Sequence, residues 1–216
     1  MSPTSMREAS TLDHPRYAKW VSVSHATAQF ATGMPQFIQG LGKLDAQLVF
    51  QDRRAAALTR QERETIEASI ALTDRFLRSV LWVLGMYEII RSIDERARNS
   101  KPTPIGVRLA TKVRKTKWMF ERVRMPLAKF EPPTRFPDDE GLARASLHRV
   151  DGIAWRVKEK VFVSRWQLSE AAMALFDRLE KDRIKKEQRN ARKRFKLKKA
   201  ASRENRNEAS HGSRNP

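Results

Sequence analysis

The residue types best suited to catalysis occur together in one short stretch, between Arg144 and Asp151. Ser146, His148 and Asp151 are the side-chain types of a nucleophilic triad, in which a histidine removes the serine proton and a carboxylate orients the histidine. The sequence predicts no strand–turn–helix elbow around the serine, which would expose such a nucleophile. These three residue types also occur close together in many proteins without any catalytic role. We therefore assign no catalytic residue, and the sequence favours a protein that is not an enzyme.

The same stretch resembles the HEPN-type ribonucleases, helical proteins in which an arginine and a histidine lie on one helix. The corresponding residues here are Arg144 and His148, with three residues between them. This spacing is shorter than the family's usual one, and the resemblance covers only a handful of residues. It implies RNA cleavage by these two side chains, so a HEPN-like ribonuclease is one alternative function.

The remaining chemistry-bearing residues indicate neither a metal site nor a cofactor site. No histidine has a second ligand at the i+3 or i+4 spacing of a zinc-binding helix, and the eight glycines form no phosphate-binding loop. The acidic run Asp138–Glu140 follows a proline, and we predict that it forms the first turn of a helix, where negative charge is stabilised by the helix dipole. We therefore assign no metal and no cofactor. The four histidines are His14, His25, His148 and His211.

Positive charge is concentrated in two segments of the chain. The formal net charge is +19 over 216 residues. Residues 101–130 contain nine basic residues and one acidic residue, and residues 169–216 contain 15 basic and seven acidic residues, so each segment contributes +8. The predicted binding residues of the first segment are Arg108, Lys112, Lys115 and Arg122. Those of the second segment are Lys185, Lys186, Arg189, Arg192, Lys193, Arg194, Lys196, Lys198 and Lys199.

This charge distribution predicts a polyanionic partner. We expect the protein to bind nucleic acid through phosphate contacts, with low sequence selectivity and without catalysis. RNA is preferred to DNA because the sequence has no helix-turn-helix or zinc-finger pattern and because basic arms often fold on RNA. The alternative is a protein-interaction or structural subunit whose charged tail docks on an acidic protein.

The sequence also predicts a cellular location. It contains no cysteine, which fits a reducing compartment. The amino-terminal residues include Glu8, Asp13 and Arg16 and lack the apolar segment of a secretion signal. No uncharged apolar run reaches the ~20 residues of a membrane span. We therefore predict a cytoplasmic protein without a membrane partner.

The stretch Thr59–Asn99 is the element around which the chain should be organised. Thr59 and Glu62 have the spacing of a capping box at its start. Between residues 76 and 93, apolar side chains occupy most of the helix circumference. Such a pattern is typical either of a membrane span or of a helix inside a packed core. Because charged residues interrupt the run, we predict a core helix.

Two further features of this helix are predicted. Forty residues of helix would extend ~60 Å, longer than a compact domain of this size, so we expect a kink or break at Thr73-Asp74 or at Gly85. Glu88 lies in the most apolar part, where an unpaired carboxylate would be costly. Arg91 is three positions further on and shares its face. We predict a structural ion pair between Glu88 and Arg91, buried or half-buried.

The whole pattern predicts a mainly α protein, a helical bundle around the long apolar helix with a basic C-terminal helical extension. A small β-hairpin is predicted near residues 153–163, because two short β-prone runs flank a polar spacer. Further helices are predicted at residues 104–125 and 169–197. The predicted domains are a disordered segment 1–16, a helical domain 17–180, and a basic extension with a disordered tail 181–216.

Overall fold

A computed structural model describes residues 12–100, 105–148 and 151–211, and the predicted mainly α fold is confirmed. The chain divides into two compact units after Leu179. The helices are α1 (His14–Ser24), a short 3-10 helix (His25–Gln29), α2 (Met34–Ala57), α3 (Arg60–Arg63), α4 (Ile66–Asn99), α5 (Val107–Ala128) and α6 (Arg165–His211). The strands are β1 (Arg144–His148), β2 (Gly152–Lys158) and β3 (Val161–Ser164).

The predicted capping box forms, but the helix that it begins is short. The Glu62 amide donates to the Thr59 hydroxyl, and the Thr59 amide donates to the Glu62 carboxylate. The bonds from the Thr59 backbone and hydroxyl hold the pKa of Glu62 below its ordinary value. The helix that follows is α3, which ends at Arg63 after a single turn.

A second capping residue, Thr65, separates α3 from α4. Its hydroxyl accepts a hydrogen bond from the Ala68 amide at 3.2 Å, while its backbone is extended. A capping side chain competes with continuation of the helix, because it satisfies an amide that would otherwise bond to the preceding turn. The break therefore lies just before Ile66, and α4 continues without interruption through both predicted positions, Thr73-Asp74 and Gly85.

The core of the first unit contains a cluster of four aromatic rings. Trp20 of α1 meets Trp82 of α4 and Phe176 of α6 edge-on, with ring centroids 6.5 and 6.1 Å apart. Trp82 also packs against Phe120 of α5 at 5.8 Å. Gly42 of α2 lies so close to Trp20 that a Cβ there would be 2.4 Å from the Trp20 Cβ, so this helix crossing requires glycine.

The predicted β-hairpin is part of a three-stranded antiparallel sheet in the order β1-β2-β3. Strands β2 and β3 match the two predicted runs, and β2 buries Trp155 and Val157 against the helices. Strand β1 is not predicted in the sequence analysis, because its five residues, although polar and apolar types alternate, include only one large apolar side chain, Leu147, and all five are at least partly exposed.

Three helix ends differ from the sequence prediction. Helix α5 passes through Pro126 and ends at Ala128, since a proline in the last turn removes only one backbone hydrogen bond. Helix α6 begins at Arg165, directly after β3, and runs to His211, through residues whose composition predicts disorder. Helix α1 begins at His14, inside the predicted disordered segment, where the Asp13 carboxylate caps it.

None of the described helices combines the length and the apolarity needed to cross a bilayer.

A buried charge network holds the ends of the first unit together. Asp45 of α2 is fully buried and accepts hydrogen bonds from Arg16 Nε and Arg165 Nη1, each at 2.5 Å. The indole N–H of Trp20 also donates to Asp45, at 2.9 Å. Arg16 belongs to α1 and Arg165 to α6, so one carboxylate joins three helices.

Arg165 extends this network to the sheet and to α4. Its Nη2 donates to Asp52 Oδ2 at 2.7 Å. Asp52 lies against Gly152 at the start of β2, where φ is +69° and a Cβ would be 2.3 Å from Asp52 Oδ2. Arg75 of α4 approaches Asp52 Oδ1 at 3.7 Å, and burial lowers the pKa of Arg75 although Asp52 opposes the shift. The first unit thus has a shared polar core beside its apolar one.

Replacing Asp45 by asparagine should destabilise the fold strongly, because Arg16 and Arg165 would lose the fully buried carboxylate that they share and keep only Glu170 and Asp52 as partners. Breaking a buried pair in this way costs about 3–5 kcal/mol. The predicted Glu88–Arg91 pair is the matched control. It forms at 2.7 Å, but its side chains are 47% and 41% exposed, so Glu88→Gln should lower the free energy of unfolding by only about 0.5 kcal/mol. Urea denaturation measures both changes, and equal values would contradict this difference.

Candidate functional site

The structure places Arg144 and His148 on strand β1 rather than on a helix. The Arg144 guanidinium lies 3.5 Å from the Glu140 carboxylate. The His148 ring packs against Phe162, with ring centroids 5.2 Å apart. The helical arrangement that the HEPN resemblance implies is not found in this stretch, and the geometry provides no support for a pair that cleaves RNA.

His148 also lines a cavity of about 530 Å³, formed by the end of α2, the start of α4 and the sheet. Asp52 and Arg75 line the same cavity, and both belong to the buried charge network. Since its lining carries charges of both signs, the cavity has no evident preference for a polyanion.

The acidic run Asp138–Glu140 lies in the loop before β1, so the prediction of a helical first turn is wrong. Asp139 is buried and accepts two hydrogen bonds from Arg122, at 2.6 and 2.7 Å. Glu140 pairs with Arg156 at 3.0 Å. These carboxylates attach the loop to α5 and to the sheet. Within the described residues, no group of three His, Cys, Asp or Glu side chains is placed to hold a metal ion.

Arg122 differs from the other predicted binding residues of α5. Its hydrogen bonds to Asp139 raise its pKa, and its guanidinium lies over the Phe136 ring, 4.8 Å from the centroid. The charge of Arg122 is therefore balanced within the fold, and this side chain attaches the loop to α5.

The other three residues belong to a group of cations without carboxylate partners. Arg108, Lys112 and Lys115 form no ion pair within the described part of the chain. Partial burial and the positive charges of Arg178, Arg108 and Lys115 lower the pKa of Lys112. Helix α6 thus adds Arg178, which the sequence analysis does not single out because it is one isolated basic residue on a largely buried helix segment. The α5–α6 cluster comprises Arg108, Lys112, Lys115 and Arg178.

Other cations along α5 have acidic partners on α4. Lys117 and Arg114 lie 3.2 and 3.7 Å from the buried carboxylate of Asp94. Arg124 lies 3.9 Å from Glu88. Helix α5 therefore has one side whose charges are neutralised against α4 and another, the α5–α6 cluster, whose charges are not.

Trp118 is the aromatic residue that lies among the basic residues of α5. The guanidinium of Arg135 lies over its ring, 3.5 Å from the centroid. A ring covered in this way offers less surface for stacking on a nucleobase. The cluster is therefore better suited to phosphate groups than to bases.

The second unit contains the continuation of α6 beyond Leu179. Its first turns carry paired charges. Arg183 binds Glu180 at 2.7 Å and Glu187 at 2.6 Å, which raises the pKa of Arg183. Lys186 binds Asp182 at 2.8 Å. This part of the helix is stabilised by ion pairs one turn apart.

The second unit also contains five basic side chains that lie between and after these ion pairs along α6. They are exposed and form no ion pair within the described part of the chain. The side chains of the predicted residues Lys196, Lys198 and Lys199 lie outside the described ones. The exposed set comprises Lys185, Arg189, Arg192, Lys193 and Arg194.

Comparison with known proteins adds nothing to this geometry. No family model, no curated protein and no solved structure matches the chain. A functional hypothesis therefore depends on how charge is arranged in the fold itself. That arrangement consists of the α5–α6 cluster in the first unit and the exposed basic residues of α6 in the second.

Proposed function

We propose that the protein binds nucleic acid, RNA in preference to DNA, without catalysing a reaction on it. Phosphate groups contact the α5–α6 cluster of the first unit and the exposed basic residues of α6 in the second. The observation that carries this proposal is the contrast along α5. Arg114, Lys117, Arg122 and Arg124 have carboxylates within 4 Å, whereas the cluster has none in the described part of the chain.

Unpaired cations held close together favour an anion. The mutual repulsion within the α5–α6 cluster contributes to the lowered pKa of Lys112, so the free protein is less stable than it would be with a counter-charge. A phosphate near Lys112 would supply that charge and release counterions from the nucleic acid. Affinity then comes from the backbone of the nucleic acid, and low sequence selectivity follows.

The exposed basic residues of α6 act by the same chemistry. Residues 188–195 contain four basic residues and no acidic residue. Like charges one turn apart weaken an isolated helix, and phosphates remove this repulsion. We expect this segment to become more protected from hydrogen exchange when nucleic acid is bound.

Neutralising the cluster should weaken binding and reduce its dependence on salt. Replacing Arg108, Lys112 and Lys115 by glutamine removes up to three phosphate contacts. The slope of log K against log salt should then become less steep by about 2, since each phosphate contact accounts for roughly 0.7–0.9 of that slope. Fluorescence anisotropy with a labelled single-stranded RNA, measured across a salt series, gives both the affinity and the slope.

The matched control removes the same charge from three exposed lysines outside the cluster. Lys19, Lys43 and Lys129 are exposed, and replacing them by glutamine should leave the slope nearly unchanged. If this control weakens binding as much as the cluster variant, net charge alone accounts for the attraction and the proposed surface is wrong. Competition by single-stranded DNA and duplex DNA of the same sequence measures the preference for RNA.

A variant of α6 tests the second set of phosphate contacts. Replacing Arg189, Arg192, Lys193 and Arg194 by glutamine should lower RNA affinity further when it is combined with the cluster variant.

Pull-downs from lysate with and without nuclease distinguish a nucleic-acid partner from a protein partner. Nuclease should release the bound material, and capture of an acidic protein that resists nuclease would favour the docking-subunit alternative instead.

Binding should also depend on pH, through Lys112. Its pKa lies below the ordinary value of 10.5 in the free protein, and a bound phosphate favours the charged form and raises that pKa. Binding therefore takes up protons, and affinity should fall as pH rises through the lowered pKa of the free protein. In Lys112→Arg, which stays charged throughout, the fall should be smaller. A labelled DNA oligonucleotide, which survives alkaline buffer, serves as the probe, and identical pH profiles would contradict this role.

A further inference from the structure

Phe195 of α6 is an exposed aromatic side chain within the basic segment of the second unit. Phe37, Phe130 and Phe195 are 71%, 71% and 70% exposed, but their surroundings differ in charge. Residues 34–40 carry no charge, and residues 127–133 contain one basic and one acidic residue. Residues 188–195 contain four basic residues and no acidic one. Of these three exposed rings, Phe195 is the one with a uniformly positive surrounding.

The face of the Phe195 ring is open in the described part of the chain. Other aromatic rings beside cations are covered, as Trp118 is by Arg135 at 3.5 Å and Phe136 by Arg122 at 4.8 Å. Among the described residues, no guanidinium and no second ring contacts Phe195 in this way. The ring is therefore available to a planar partner, whereas Trp118 is not.

The cations next to Phe195 form a row along α6. Lys185, Arg189 and Arg192 follow one another at intervals of four and three residues, so the helical period places them on one side of the helix. Arg192 precedes Phe195 by three residues, an interval at which helical side chains are neighbours. All three cations are exposed, and none forms an ion pair within the described residues. The basic row thus leads to the exposed ring.

The same segment is poorly suited to a membrane or to an apolar protein groove. Residues 185–195 contain no large apolar side chain other than Phe195. A helix that lies on a membrane needs a broad apolar face, and a helix that binds in a protein groove needs apolar anchors on successive turns. One ring among cations provides neither surface.

A polyanion with flat faces matches this combination of groups. On a single strand, cations contact the phosphates while aromatic side chains stack on the bases, and every base offers a face for stacking. In a duplex the bases stack on one another, so a ring can reach them only by unstacking a step. We propose that Phe195 stacks on a base of single-stranded nucleic acid whose phosphates contact Arg189 and Arg192. This inference rests on the proposed function and extends it, because it assigns the second unit to unpaired strands.

Removing the ring should weaken binding to bases without changing the phosphate contacts. In the full chain, Phe195→Ala should lower the affinity for single-stranded RNA by about 5- to 150-fold, the range expected when one base loses its stacking partner. The affinity for an abasic strand of the same backbone and length should not change. The slope of log K against log salt should stay the same, since no cation is removed. Fluorescence anisotropy with both labelled strands measures these quantities.

Three variants serve as controls for this measurement. Phe195→Tyr keeps an aromatic ring and should retain most of the affinity. Phe37→Ala and Phe130→Ala each remove an equally exposed ring from a surface without a basic row, and both should bind as the wild type does. Alanine is the stronger helix former, so Phe195→Ala should retain α6, and circular dichroism establishes that it does.

The possible outcomes separate this inference from the proposed function. If Phe195→Ala binds the single strand as tightly as the wild type, or loses as much affinity for the abasic strand or for a duplex, the stacking contact is wrong and phosphate binding stands. If the wild type binds none of the strands, the proposed function fails and the stacking inference fails with it. Sedimentation with phosphatidylserine vesicles tests the other partner. Loss of vesicle binding by Phe195→Ala, with strand binding unchanged, would make the ring a membrane contact instead.

Discussion

The buried carboxylate of Asp45 lies between two arginines that come from opposite ends of the first unit, Arg16 on α1 and Arg165 on α6. Removing such charges from water costs several kcal/mol per ion, so neither arginine can be buried unless the carboxylate is in place. Asp52 adds the start of β2 to the same network through its close contact with Gly152. The apolar core could tolerate small shifts of helix position, whereas these short ion pairs require one arrangement of α1, α2, α6 and the sheet.

This internal use of arginine reduces the number of basic side chains that remain without an acidic partner. Within the first unit, arginines and lysines divide into those that hold elements together and those that have no acidic partner in the described part of the chain. Arg122, for example, fastens the loop before β1 through Asp139. Fewer than the 44 basic residues of the sequence are therefore available to a polyanion, and four of the basic residues without an acidic partner lie together in the α5–α6 cluster, where the cations repel one another.

Helix α4 shows that a helix with apolar residues around most of its circumference can still be buried on one face only. Its apolar circumference is typical of a helix buried on all sides, yet only the face that contains Trp82 and Met86 enters the core. The opposite face, which contains Ile70 and Leu77, remains exposed.

The sequence by itself determined the features that depend on neighbouring residues: the mainly α class, the capping box of Thr59 and Glu62, the strands β2 and β3, and the two basic segments. Caps, helical periodicity and local charge are short-range properties, so one chain is enough to predict them. Only the tertiary structure decided which cations of α5 are paired, that Arg178 joins Lys112, that β1 lies at the edge of the sheet, and that Asp45 anchors the fold. Each of these depends on a contact between residues far apart in the chain, and residue spacing carries no information about such contacts.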